Sequence, residues 1–138
     1  MASIRKEILI EVPAEDVWAA VRDVGEVHRR LAPGAVTDVR LEGDSRLVTF
    51  SNGMVVRELI VDIDDDTRRF AYAAVGGRAR HHNATMQVFT EGGRRSRLVW
   101  VTDLLPNELA GSIGVLVNQL GDVIKKTLEG SASSERTG

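Results

Sequence analysis

Cysteine is absent from all 138 residues, which excludes disulfides, thiolate nucleophiles and Cys-ligated zinc or iron–sulfur sites together. The absence also fits a reducing compartment. Neither charge sign is in excess: 18 Lys and Arg stand against 20 Asp and Glu, a formal net charge of −2. A global basic field that would favour nucleic acid or an anionic membrane is therefore missing. No stretch approaches the ~20 apolar residues of a membrane helix. The opening "MASIRKEILIEV" has neither the apolar centre nor the small-residue cleavage site of a signal peptide. A soluble, cytoplasmic protein with no integral membrane segment and no nucleic-acid partner is the expectation. P-loop, nucleophile elbow and metal-ligand cluster are absent as well, so no cofactor and no metal are expected. "DIDDDT" has acids in the manner of a calcium loop but lacks the glycine and distal glutamate, and it reads as a solvated hairpin turn.

What is present is an ordinary globular composition, 43% hydrophobic and 28% charged, in a length suited to one domain with one core. "IRKEILIEV" alternates, with Ile4, Lys6, Ile8 and Ile10 on one side, and reads as a half-buried strand. Pro13 has no N–H for a ladder and ends it. Glu15 and Asp16 follow where the positive end of a helix dipole favours acids, and Val17, Trp18, Ala20 and Val21 then recur at helical spacing. "DVGEVHRRLAPG" reads as a second short helix, with His28 on its surface. Six alternating stretches come next, roughly 35–42, 46–51, 54–63, 68–75, 79–90 and 95–105, separated by turn signals such as "EGDS", "SNG" and "EGGRR". After Pro106, Leu109, Ile113, Leu116, Leu120, Val123, Ile124 and Leu128 define one long amphipathic helix. Asn107 can cap its start and Gly130 can end it. Residues 131–138 are polar and read as a disordered tail, leaving 1–130 as the single domain.

This order gives an α+β, helix-grip architecture: a curved seven-stranded antiparallel sheet wrapped round the C-terminal helix, with two short helices after the first strand. The succession "VPAEDVWAAVRDVGEVHRRLAPG", "GMVVRELIVDIDDDTRRFAYAAVGG" and "LVWVTDLLP" before the last helix resembles the START-like (SRPBCC) superfamily. Within it, the polyketide cyclase/dehydrase and lipid-transport family is most similar, from about Ile4 to Leu128. The resemblance implies a deep apolar cavity between sheet and C-terminal helix. The chain departs from the family pattern at Leu31, where many members carry tryptophan, and at His82, where relatives often carry tyrosine.

Glu58 alternates with Val56 and Ile60, opposite in face to Arg57. In similar proteins this glutamate points into the cavity, where burial without a cation would raise its pKa and suit it to proton transfer or polar anchoring. The alternative is an amphipathic strand on which Glu58 pairs with a neighbouring arginine. His81 and His82 are adjacent, face opposite sides of a strand and cannot chelate one metal together. His82 shares its parity with Ala84 and Met86; it is either a cavity base or a hydrogen-bonded residue at the rim. Tyr72 shares a face with Phe70 and Ala74 and offers a phenol or merely packs. Trp18 and Trp100 read as core, the face of Trp100 being open because both sides of its strand are apolar. Leu116, Leu120 and Ile124 would form the cavity floor, and the loops at 51–53 and 76–80 its mouth.

The leading functional expectation is a carrier, sensor or sequestering protein for a small hydrophobic molecule such as a lipid, polyketide or aromatic metabolite. Whether the protein is an enzyme stays open. The enzyme alternative is a polyketide cyclase/dehydratase in which Glu58 and His82 move protons while the cavity folds the substrate. A third reading is an adaptor that binds a protein partner on the outer sheet face, against which Arg57, Asn83 and Gln87 count.

Overall fold

Pro13 is where strand gives way to helix, and its carbonyl does the work its missing N–H cannot. It accepts from Asp16 N at 3.0 Å and Val17 N at 3.2 Å, opening α1 (Ala14–Val21) three residues after β1 (Ala2–Ile10) ends. Glu15 and Asp16 lie in the first turn, where they oppose the helix dipole. The computed structural model describes the backbone of residues 2–137 and the side chains of residues 2–131. A single turn, α2 (Val27–Arg30), follows α1, and then β2 (Val36–Glu42), β3 (Ser45–Phe50), β4 (Val55–Asp64), β5 (Arg69–Val75), β6 (His81–Thr90) and β7 (Ser96–Leu105). A 3₁₀ turn at Asn107–Leu109 leads into α3 (Ala110–Thr137). Each strand lies within two residues of its expected ends.

All seven strands form one antiparallel sheet in the order β1-β7-β6-β5-β4-β3-β2. The last strand therefore closes against the first, and the chain between them runs as a meander. Register shifts between Val36 and Asp38 and between Ile60 and Asp62 add local twist and bend. The inner face carries Ile8 and Ile10 from β1, Val48 from β3, Phe70 and Tyr72 from β5, Ala84, Met86 and Val88 from β6, and Leu98 and Trp100 from β7, all in one buried cluster with α1 and α3. Trp100, opposite Lys6 and Met86, thus faces inward. This is the helix-grip fold.

The buried stripe of α3 is Val117, Leu120, Ile124 and Leu128, at the four- and three-residue spacing of one helix face. Its glycines are not equivalent. A Cβ at Gly121 would stand 3.1 Å from Ile8 Cδ1 and 3.2 Å from Lys6 Cε, whereas Gly111 has nothing within 4 Å. Gly121 therefore lets α3 approach β1, and packing there offsets its poor helix propensity. Lys125 Nζ donates to the Leu9 carbonyl at 2.6 Å and to Glu129 Oε2 at 2.7 Å, and Glu11 N donates to the same carboxylate at 2.9 Å. These bonds fasten α3 to the end of β1.

Three local expectations change. α3 continues through Gly130, which keeps helical backbone instead of adopting the left-handed conformation of a glycine stop. The expected tail over 131–138 lies, Ser131 apart, outside the residues whose side chains are described. The acidic turn is not simply solvated: Asp65 Oδ1 accepts from Trp18 Nε1 at 2.8 Å and from Arg22 Nε at 2.7 Å, tying α1 to the β4–β5 hairpin. His28 is half-buried rather than on the surface, and its Nδ1 is buried without a partner among the described residues.

Candidate ligand cavity

The β3–β4 register sets Arg46 directly opposite Glu58. Both side chains point into the core and are almost wholly buried, 7% and 11% exposed. Arg46 Nε donates to Glu58 Oε1 at 2.8 Å and Nη2 lies 2.8 Å from the same oxygen. Nη1 reaches the other way, donating to the Val24 carbonyl in the α1–α2 linker at 3.0 Å. The guanidinium also sits over the rings of Phe70 and Tyr72, 5.1 and 5.3 Å from their centroids, which favours a cation electrostatically. Those two rings stack at 5.2 Å, and Trp100 Nε1 donates to the Tyr72 hydroxyl at 3.1 Å. Five side chains from β3, β4, β5 and β7 thus make one polar cluster in an apolar interior. Glu58 therefore lines the cavity and is paired with an arginine there, not buried without a cation.

Burial raises the Glu58 pKa above its ordinary 4.5, while the charge and hydrogen bonds of Arg46 act in the opposite direction. The Tyr72 phenol is pushed above its usual 10.0, by burial first and then by the charge of Glu58. It is accordingly a neutral hydroxyl at any physiological pH.

The cavity beside this cluster is walled by Val36, Val48, Phe50, Phe70, Met86 and Trp100 of the sheet, Leu120 and Ile124 of α3, Val21 of α1, and Val27, Leu31 and Ala32 around α2. Among its lining residues Val27 and Phe50 alone are not buried, so it opens between α2 and the end of β3. Phe50 immediately precedes the loop at 51–53, but neither 51–53 nor 76–80, the two loops expected at the mouth, contributes a lining residue. Room for water-sized molecules amounts to about 50 Å³, inside about 500 Å³ of atom-free space that includes the open mouth. Ligand pockets more often span ~300–1,000 Å³. The deep cavity implied by the resemblance is therefore small here, because aromatic side chains and the Arg46–Glu58 pair occupy its centre.

Of the residues expected around a ligand, Glu58, Tyr72, Met86, Trp100, Leu120 and Ile124 do line this cavity. Val56, Ile60, Ala74 and Leu116 are half-buried outside the lining, and Ala84 is core. His82 is half-buried opposite Leu104, away from the lining. Burial, and then the neighbouring His81, lower its pKa from 6.5. The lining residues that sequence reasoning missed are Arg46, the α2 wall, Val21 of α1, and Val36, Val48, Phe50 and Phe70 of the sheet. A signal for Arg46 existed: it shares strand parity with Val48 and Phe50. Among the described residues no group of three or more acidic or histidine side chains could hold a metal ion, and no helix is long and apolar enough to cross a membrane.

A curved sheet gripping a C-terminal helix, with an apolar cavity between them, defines the class. The family model for polyketide cyclase / dehydrase and lipid transport matches residues 1–133, and the chain belongs to that family. No curated protein matches it. Among solved structures it is similar to the protein XoxI of Bacillus cereus, with a TM-score of 0.80 at 18% identity over 95% of each chain. It also resembles the di-domain ARO/CYC protein BexL of the BE-7585A biosynthetic pathway, with a TM-score of 0.81 at 14% identity over 94% of this chain and 47% of that one. Norcoclaurine synthase of Thalictrum flavum gives a TM-score of 0.71 at 18% identity over 91% of each chain. At these identities the likeness shows the fold. Fold and family together support the binding of a small hydrophobic molecule between sheet and helix.

Proposed function

We propose that the protein binds a small, mainly apolar molecule in this cavity and carries, senses or sequesters it. The observation that carries the reading is an apolar chamber between the sheet and α3, open beside α2, with one buried polar cluster at its inner wall. Such a combination of apolar walls and few convergent polar groups is the usual composition of a ligand site. Because the cavity volume is about 50 Å³, the ligand's bulk lies toward the mouth, or α2 moves outward to admit it. α2 has a single turn, and such a segment yields more readily than a strand inside a sheet.

The test is native mass spectrometry of freshly purified protein, followed by denaturing extraction of whatever it carries. A stoichiometric apolar passenger is the expected result. An empty protein that also binds no member of a panel of lipids and aromatic polyketides would contradict the reading.

A second reading, proton-transfer catalysis of the polyketide cyclase/dehydratase kind, is favoured by one observation: a glutamate with a raised pKa lines the cavity. Its acid–base set would be Glu58 with Tyr72, since His82 is not in the lining. Loss of turnover in Glu58→Gln with the fold and ligand affinity kept would support it; unchanged turnover would exclude Glu58 from that role.

A further inference from the structure

We infer that the molecule this cavity takes is uncharged and carries one hydroxyl group on an apolar body, the hydroxyl seated between Glu58 and Tyr72. This deepens the ligand-binding reading above and rests on it. The cluster has already matched its charges: one guanidinium faces one carboxylate. Beyond two further N–H groups of Arg46, whose guanidinium lies over the rings of Phe70 and Tyr72, the cluster leaves one acceptor on Glu58 and one donor on Tyr72 unused among the described residues. Both Arg46 contacts fall on Glu58 Oε1, and among the described residues no hydrogen bond reaches Oε2. The Tyr72 hydroxyl accepts from Trp100 Nε1, but its own proton goes to no described protein atom.

A hydroxyl is the smallest group that donates and accepts at once, so a single one satisfies both. A ketone or ether can accept from Tyr72 but leaves the Glu58 oxygen bare. A carboxylate would set a second negative charge beside Glu58, and an ammonium a second positive charge beside Arg46. Each would be desolvated without a counter-charge, which interiors tolerate poorly. Size points the same way. A cavity of about 50 Å³, far below the ~300–1,000 Å³ of ordinary ligand pockets, admits a small polar head, and the apolar body then runs out past Val27 and Phe50. Arg46 is a positioning residue in this arrangement: it occupies Oε1, which leaves Oε2 for the ligand, and it holds the α1–α2 linker through the Val24 carbonyl.

The experiment is isothermal titration calorimetry at pH 8 with probes on one frame: p-cresol, 4-methylcyclohexanol, toluene, 4-methylbenzoate and 4-methylbenzylamine. At least one of the two hydroxyl probes should bind about tenfold or more tighter than toluene, equivalent to roughly 1.4 kcal/mol, with both charged probes weaker than toluene. Comparing cresol with methylcyclohexanol tells a phenol from an alcohol. In Tyr72→Phe the hydroxyl advantage should fall at least fivefold while toluene binds as before. The wild-type comparison needs no variant, so the inference stays testable if Tyr72→Phe does not fold. Toluene or 4-methylbenzoate binding as tightly as both hydroxyl probes would overturn the inference while leaving an apolar site. A hydroxyl advantage undiminished in folded Tyr72→Phe would overturn the proposed seat. Failure of all five probes to bind would overturn this inference, while the passenger and panel test above separately decides the broader reading.

Discussion

Replacing Arg46 with methionine removes one half of a buried ion pair and leaves the other half in place. Glu58, 11% exposed, then loses both guanidinium contacts at 2.8 Å and gains nothing. Stranding a buried charge in this way costs about 3–5 kcal/mol. Loss of the Val24 bond adds little, because that carbonyl is in a half-buried linker and can turn to water. Methionine fills much of the arginine stem's volume, which keeps a cavity penalty from confusing the result. In urea, with a slope of about 1–3 kcal/mol per M, the midpoint should fall by more than 1 M at unchanged slope. The double variant Arg46→Met/Glu58→Leu removes both charges, and a buried pair exchanged for apolar residues is often neutral or stabilising. It should therefore recover most of the loss. The single variant also has a pH signature. Without Arg46 the folded pKa of Glu58 rises further above 4.5, since both effects that lower it are gone. The folded state then holds a proton the unfolded state has released, so stability falls as pH rises from about 4.5 to the raised value. A loss below 1 kcal/mol, or a double variant no more stable than the single, would refute the buried-pair reasoning.

Three further outcomes follow from other parts of the fold. Gly111→Ala should stabilise by up to about 1 kcal/mol, because nothing lies within 4 Å of the added methyl, whereas Gly121→Val should destabilise through Ile8 Cδ1 and Lys6 Cε; urea midpoints measure both. Asp65→Ala should lower the melting temperature by less than Arg46→Met does, since Asp65 is 61% exposed, and should change the emission of Trp18, which loses its hydrogen bond. His82 has a lowered folded pKa, so the unfolded state takes up protons first; stability is full above about 6.5 and is lost as pH falls below it. His82→Gln should flatten that slope in a pH series of melting temperatures.

Much of the architecture was legible because period and punctuation agreed. Alternation in "IRKEILIEV", Pro13 at the strand end and the four-residue spacing of Leu120, Ile124 and Leu128 each point to one element type. Glu58 stood out because a charge at an inward-facing parity needs an explanation. Its partner did not stand out. Pairing Arg46 with Glu58 depends on the register across the 51–54 turn, where Gly53 takes φ +87°, and a slip of one residue would have sent Arg46 to the other face. The α2 wall was hidden for a different reason. Val27, Leu31 and Ala32 belong to a segment too short to declare its direction by periodicity, and tertiary contact decides it. Parity also misplaced His82: it gives the face of a strand but not the position along it, and His82 lies opposite Leu104, off the cavity lining. The cavity's size is a matter of side-chain packing, which no pattern of one chain expresses.

The most direct test of the central claim is a titration of isotope-labelled protein with whichever of p-cresol and 4-methylcyclohexanol binds tighter, followed through backbone amide and tryptophan indole resonances. The account requires the Trp100 indole and the amides of Val27, Phe50, Glu58 and Tyr72 to shift together and saturate with one affinity. Shifts confined to the outer sheet face, around Val61 and Val101, would contradict it.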